Sequence, residues 1–182
     1  LLVGEVGVGP AQRREREARA ALGWAHTYLA DQEGVELERA RVCAQAAQLD
    51  LDAELSEDAR ARCAEGLALV SEATGESAEL ARVRAELLGM IGMAAALEED
   101  PREARRVHEA ALAVQEREGL AEDAARTLAR LGRVAFEAND DVAAEERWRR
   151  ALEACEALRD RRGAAQVCSS LALVASRQGR LA

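Results

Sequence analysis

The chain repeats itself. Displaced by 40 residues, positions 80–118 fall on 120–158 with eleven identities in 39 positions. The pairs are Leu80/Leu120, Ala81/Ala121, Ala85/Ala125, Leu88/Leu128, Gly92/Gly132, Ala95/Ala135, Asp100/Asp140, Ala104/Ala144, Ala111/Ala151, Leu112/Leu152 and Glu116/Glu156. Most are small or apolar and recur at helical spacing, with an aspartate at the break. Leu131-Gly-Arg-Val-Ala135 returns 40 residues later as Leu171-Ala-Leu-Val-Ala175. Toward the N-terminus, Ala111-Leu112 matches Gly66-Leu67 and then Ala21-Leu22, each 45 residues earlier, and Glu33-Gly34-Val35 resembles Glu118-Gly119-Leu120. A unit of 40 to 45 residues is too small to bury its own apolar face. It has to stack on its neighbours, and the chain is restricted to a repeat array.

Composition says what the unit is made of. Hydrophobic residues are 49% of the chain but aromatics only 2%, and two prolines leave long stretches free to be helical. Ala, Leu, Glu and Arg dominate, all good helix formers. The breaks carry helix signals. Asp100-Pro-Arg-Glu103 reads as a capping box, with Asp100 accepting from first-turn amides and Glu103 reaching back. Asp140 repeats the cap, and Ser56 before Glu57 and Asp58 reads as another. Gly34, Gly75 and Gly119 mark helix ends that need a left-handed residue. These signals predict eight helices, near 11–31, 35–51, 56–73, 77–98, 101–118, 120–138, 141–159 and 161–178. Loops this short make successive helices antiparallel. The Ala104/Ala111 and Ala144/Ala151 pairs, seven apart, let neighbouring backbones approach closely.

The units resemble tetratricopeptide repeats of the long-period kind found in bacterial signalling proteins. Leu128-x-x-Leu131-Gly132-x-x-Ala135 followed by Ala144, Trp148 and Ala151 carries the likeness, as does Leu88-x-x-Ile91-Gly92-x-x-Ala95 followed by Ala104, His108 and Ala111. The match is good over 77–178 and weaker over 11–76. It departs from the family in a period above the usual ~34 residues and in lacking the proline that ends each unit. The implied fold is an all-α, right-handed α-solenoid of stacked antiparallel helix hairpins over 11–182, behind a flexible Gly-rich lead-in at 1–10. Helix 161–178 aligns with the first helix of a unit and helix 11–31 with a second, so both lack a partner. Solenoids close with polar caps. A piece of a longer array, or a chain that covers its ends by self-association, is expected.

The opening stretch LLVGEVGVGPA imitates a phosphate-binding loop. Gly4 and Gly9 have the required spacing, but Pro10 stands where that loop places lysine and Ala11 where it places Ser or Thr. The chain has 25 basic residues, all arginine, so no lysine elsewhere substitutes. ATP is not an expected ligand, and Pro10 is expected to open the first helix.

Other chemistry is thin. The net charge is −9 with no basic block, which argues against nucleic acid. The acidic excess sits in 31–79, where thirteen acids face four arginines. Cys43, Cys63, Cys155 and Cys168 form no CxxC pair and only His26 and His108 accompany them, so no zinc site is expected. His26 has no cysteine or carboxylate at ligand spacing. His108, aligned with Trp148 and Cys63, reads as core. Cys43 and Cys168, aligned with Leu88 and Leu128, also read as core. Met90 and Met93 lie on an apolar stripe. No uncharged run is long enough to span a bilayer, no signal peptide is visible, and the cytoplasm is the expected compartment.

What remains is a binding face. In the family resembled, first-helix side chains line a concave surface that receives peptides. Mapped by the repeat, that surface carries Arg41 and Gln48, then Glu86 and Met93, then Arg126, Arg133 and Glu137, then Gln166, Ser169 and Arg177. Arg126 and Arg133, two turns apart on one face, fit a carboxylate or acidic peptide. The expected function is non-catalytic and cofactor-free: a protein-interaction scaffold within a larger bacterial signalling or transcription-regulating protein. The alternative is a sensor that takes a short peptide or small signal in the groove.

Overall fold

The computed structural model describes residues 10–30, 32, 34–73 and 77–179. Among them the chain forms eight helices and no strand: α1 Pro10–Ala30, α2 Glu36–Asp52, α3 Ser56–Glu72, α4 Ala78–Leu97, α5 Pro101–Arg117, α6 Ala121–Glu137, α7 Asp141–Ala157 and α8 Arg161–Arg177. Pro10 opens α1 as expected. Residues 1–9 and Gly75 lie outside the described residues. The array is an all-α solenoid.

One turn recurs between helices. Glu99 is left-handed (φ 56). Its amide donates to the Ala96 carbonyl and that of Asp100 to the Ala95 carbonyl, at 3.2 and 2.9 Å, closing α4 as a Schellman motif. The Asp100 carboxylate then accepts from the Glu103 amide at 3.0 Å and opens α5. One aspartate thus ends one helix and begins the next. Asn139-Asp140 and Arg159-Asp160 repeat the arrangement, with caps onto the amides of Ala143 and Gly163. Glu54-Leu55 and Gly119-Leu120 keep the backbone closure without a side-chain cap.

This turn corrects three readings of the sequence. Glu103 does not complete a capping box: the Asp100 amide is already bound to Ala95, and Glu103 instead pairs with Arg106 at 2.8 Å. Ser56 is the first residue of α3 rather than its cap, because the closure of α2 puts Leu55 in the cap position. Gly34 and Gly119 are left-handed as expected, but so are Glu54, Glu99, Asn139 and Arg159. At these four sites the two backbone bonds of the closure hold a conformation that costs roughly 1–2 kcal/mol in residues with a Cβ.

α2 packs with α3, α4 with α5 and α6 with α7 as hairpins, and the hairpins stack through α3 on α4, α5 on α6 and α7 on α8. α2 also meets α4, and α6 meets α8. The stack interlocks by pairing a small residue with a large one. A Cβ on Gly92 would stand 2.6 Å from the His108 ring, and one on Gly132 would stand 2.5 Å from the Trp148 indole. Each glycine sits sixteen residues before its ring. In the hairpin before them the same places hold Ala47 and Cys63, both fully buried. There the small partner has a Cβ and the large one has shrunk. Ala104, Ala111, Ala144 and Ala151 are fully buried, as the close approach of helices requires.

The first three helices are tied differently. Asp50 of α2 is 1% exposed. Its carboxylate accepts from Arg19 of α1 and, at 2.5 Å, from Arg62 of α3. Arg19 also donates to the Leu49 carbonyl at 3.0 Å. At the other end the equivalence of Cys168 with Leu128 fails. Leu128 is buried under α7 and α8, whereas no described helix covers the face of α8 that carries Cys168, and its thiol is exposed. No helix among the described residues is long and apolar enough to cross a membrane.

Candidate functional site

The even-numbered helices share one face, and two clefts run along it. The first, about 690 Å³, lies between Gln48 of α2, the Arg82–Met93 face of α4 and the start of α6. The second, about 930 Å³, lies between α6 and α8, walled by Phe136, Trp148, Val167 and Leu173. Met93, Glu122, Arg126, Arg130 and Leu158 line both, so the two form one continuous groove.

Seven of the ten residues proposed from the repeat line this groove. Gln48, Glu86, Met93 and Arg126 face the first cleft. Met93 and Arg126 continue into the second, joined by Arg133, Glu137 and Gln166. Arg41, Ser169 and Arg177 line neither. Arg41 reaches across to Glu79 at the start of α4, 3.2 Å away. Ser169 donates back to the Ala165 carbonyl of its own helix at 3.1 Å. Arg177 stacks on Phe136, its guanidinium carbon 3.4 Å from the ring centre, and donates to the Phe136 carbonyl at 3.1 Å. It also pairs with Asp141 at 3.1 Å, so it pins α8 to the turn between α6 and α7.

Neither arginine of the expected pair stands free. Arg126 is paired with Asp123 one turn earlier, and Arg133 lies 3.8 Å from Glu137 one turn later. Arg130 stands between them on the same face, part-buried in the groove. Its guanidinium lies against Gly89, where a Cβ would stand 3.5 Å from Nη1, and it makes no hydrogen bond or ion pair among the described residues. Burial pushes its pKa down, and the charges of Arg126 and Arg133 push the same way against the weaker pull of Asp123. The sequence did signal it, at four residues after Arg126 and three before Arg133. Alignment with buried Met90 hid that signal.

Glu86 is the acidic counterpart. Partial burial in the groove wall and the carboxylate of Asp123 raise its pKa, against the pull of Arg126, Arg41 and Arg82. The groove is therefore apolar at one end, with a crowded cation at its centre and a carboxyl group holding its proton more tightly than usual nearby.

His108, Cys43 and Cys63 are buried at the helix interfaces. His108 is 1% exposed, and its pKa is pushed down to about 4 by burial and by the nearby Arg130 and Arg133. Burial raises the thiols of Cys43 to about 11 and Cys63 to about 12, so both are protonated at neutral pH and poor nucleophiles. His26 requires a correction. The fold brings it to Glu65, with Nε2 2.7 Å from Oε1, and to the thiol of Cys43. These residues lie 39 and 17 positions away along the chain, beyond any local ligand spacing.

Two solved structures are similar to this fold. One is the apo form of RapI: TM-score 0.79, 14% identity, covering 93% of this chain and 45% of that one. The other is BtubC from P. vanneervenii: TM-score 0.75, 16% identity, covering 94% of this chain and 68% of that one. The chain thus spans under half the length of RapI. No family model matches the sequence. No curated protein matches it either. Likeness at this identity establishes the helical-repeat architecture.

Proposed function

We propose that the helical array 11–182 is a non-catalytic, tetratricopeptide-type interaction module. It binds a protein or peptide partner through an acidic side chain or a C-terminal carboxylate. Its setting is a larger bacterial signalling or transcription-regulating protein in the cytoplasm. The observation that carries the reading is Arg130. A part-buried guanidinium crowded by Arg126 and Arg133 carries repulsion that an incoming carboxylate relieves, through charge-assisted bonds in a bidentate geometry. The apolar wall of Trp148, Phe136 and Leu173 beside it accepts a neighbouring hydrophobic side chain. Arg126 and Arg133 exchange their local partners for the ligand or hold it at the rim.

A panel of acidic peptides with free C-termini, read by fluorescence polarisation, tests this. Binding that falls at least tenfold in Arg130→Gln and weakens with salt is expected. Binding unchanged in both Arg130→Gln and Arg126→Glu/Arg133→Glu moves the site off the groove. A second reading rests on the second cleft itself, whose volume and mixed lining suit a small signal molecule. It predicts that Leu173→Arg abolishes binding of that molecule while Gln48→Ala, which lines only the first cleft, leaves it intact.

A further inference from the structure

The strongest unassigned chemistry lies at the opposite end of the array. We propose that His26, Cys43 and Glu65 form a binding site for a borderline divalent transition metal, Zn²⁺ in type, which staples α1 to the first hairpin. The donor atoms come from three different helices: α1, α2 and α3. His26 Nε2 and Glu65 Oε1 are 2.7 Å apart, and one ring nitrogen of His26, Cys43 Sγ and one carboxylate oxygen of Glu65 all lie within 4.8 Å of one another. A tetrahedral zinc site with bonds of roughly 2.0–2.3 Å sets its ligands about 3.3–3.8 Å apart. The His–Glu pair opens by a fraction of an ångström, and the thiol closes in by about one.

The site is built as well as close. Gly66, next to Glu65, lets α3 approach α2 so nearly that a Cβ there would stand 3.2 Å from Cys43 Cβ. The glycine beside one ligand thus brings its helix onto another. Cys43 is buried at the base, His26 is half-exposed and Glu65 is exposed, so a hydrated ion enters from the Glu65 side. One imidazole, one thiol and one carboxylate form a borderline donor set. Mg²⁺ and Ca²⁺ require several oxygens, and only one residue here offers them. On binding, the Cys43 S–H bond breaks, its sulfur lone pair forms the bond to the metal, and the proton goes to buffer. The proton shared by His26 Nε2 and Glu65 Oε1 moves to the other ring nitrogen or to buffer; the imidazole then donates the freed lone pair, Glu65 donates as carboxylate, and water fills the fourth position. No electron is transferred. The helix tied down is the one least held by packing, since α1 meets only α2 appreciably.

The test uses the metal-free 182-residue chain carrying Cys168→Ser, which removes the exposed thiol, titrated with Co²⁺ as a spectroscopic stand-in for Zn²⁺. One equivalent is expected to produce a near-ultraviolet thiolate-to-cobalt band and visible bands of four-coordinate intensity, both displaced by Zn²⁺. Cys43→Ala should abolish the thiolate band with the far-ultraviolet dichroism unchanged. His26→Gln and Glu65→Gln, both at solvent-reachable positions, should each weaken binding at least about tenfold. The proposal is overturned by titration without a thiolate band or by a band that survives Cys43→Ala. Affinity unmoved by both His26→Gln and Glu65→Gln overturns it equally.

Discussion

In α1–α3 the helices meet on a buried carboxylate; in α4–α7 they meet on a glycine with a ring laid against it. Asp50 holds Arg19 and Arg62 from two other helices at 1% exposure. Gly92 with His108 and Gly132 with Trp148 interlock by shape. The difference follows from one residue. Where the small partner is glycine, the second helix carries a ring; where it is Ala47, the place holds Cys63. The first hairpin adds to its apolar core a buried, ion-paired carboxylate that reaches α1. α2 and α3 are 17-residue helices like α5–α8, and Gly34 and Glu54 stand 20 apart like the later turns; the 45-residue step lies between Glu54 and Glu99, which holds the 20-residue α4.

Removing a shape contact should therefore cost more than removing the charge. Trp148→Ala deletes a 3% exposed indole, its bond to the Ala129 carbonyl at 2.9 Å and its contact with Phe136. A loss of about 3–5 kcal/mol is expected, read as a fall in the denaturation midpoint. The ring pair at His108 adds a pH dependence the tryptophan pair lacks. Folded His108 stays neutral down to about pH 4, whereas the unfolded imidazole charges near its ordinary 6.5. The unfolded chain binds the extra proton between those values. Stability from this group is complete above pH 6.5 and is lost as pH falls toward 4. Between pH 7 and 4.5 the wild type should lose about 2–3 kcal/mol more than His108→Leu. Equal losses in the two proteins would mean that His108 is charged in the fold.

Asp50→Ala is expected to cost less, about 1.5–3 kcal/mol. Arg19 and Arg62 are 30% and 46% exposed and regain water when the carboxylate goes. The loss should be local, with amide exchange accelerated in α1 and unchanged in α6. An Asp50→Ala protein less stable than Trp148→Ala would invert the contrast between the two regions.

The sequence carried the fold because repetition reports packing directly. Ala104 and Ala144 are alike because each admits a neighbouring helix, and every helix lies within a few residues of its expected span. The groove was partly legible for the same reason: side chains one repeat apart share a face, which places Glu86, Arg126 and Gln166 in one row and Gln48, Met93 and Arg133 in another. Repetition cannot report what differs between units. Arg130 occupies the place of Met90, so the repeat gives no sign of a cation there. Arg177 belongs to the groove-facing register, but the Phe136 ring is close enough to capture it. His26, Cys43 and Glu65 come from three helices of two units, and only the folded chain brings them together. The left-handed Glu54, Glu99, Asn139 and Arg159 escaped because closure bonds, rather than side-chain type, fix their conformation.

The smallest test concerns the turns. Asp100, Asp140 and Asp160 each cap a helix, while Leu55 occupies the same position with the same backbone closure and no cap. Leu55 is 43% exposed, so an acid there buries no charge. Its amide already donates to the Asp50 carbonyl at 2.8 Å, the bond that holds Asp100 and Asp160 in capping geometry. Leu55→Asp should therefore stabilise α3, by about 0.5–1 kcal/mol. Glu57 and Asp58 already satisfy part of the helix dipole and repel a third acid, which sets the gain at the low end. Asp160→Ala, the reverse change in the other region, should lose about 1 kcal/mol. Opposite signs would make the two regions variants of one turn. A loss at both would mean that the first hairpin's turn differs in kind, and that Leu55 contributes more by packing than a cap supplies.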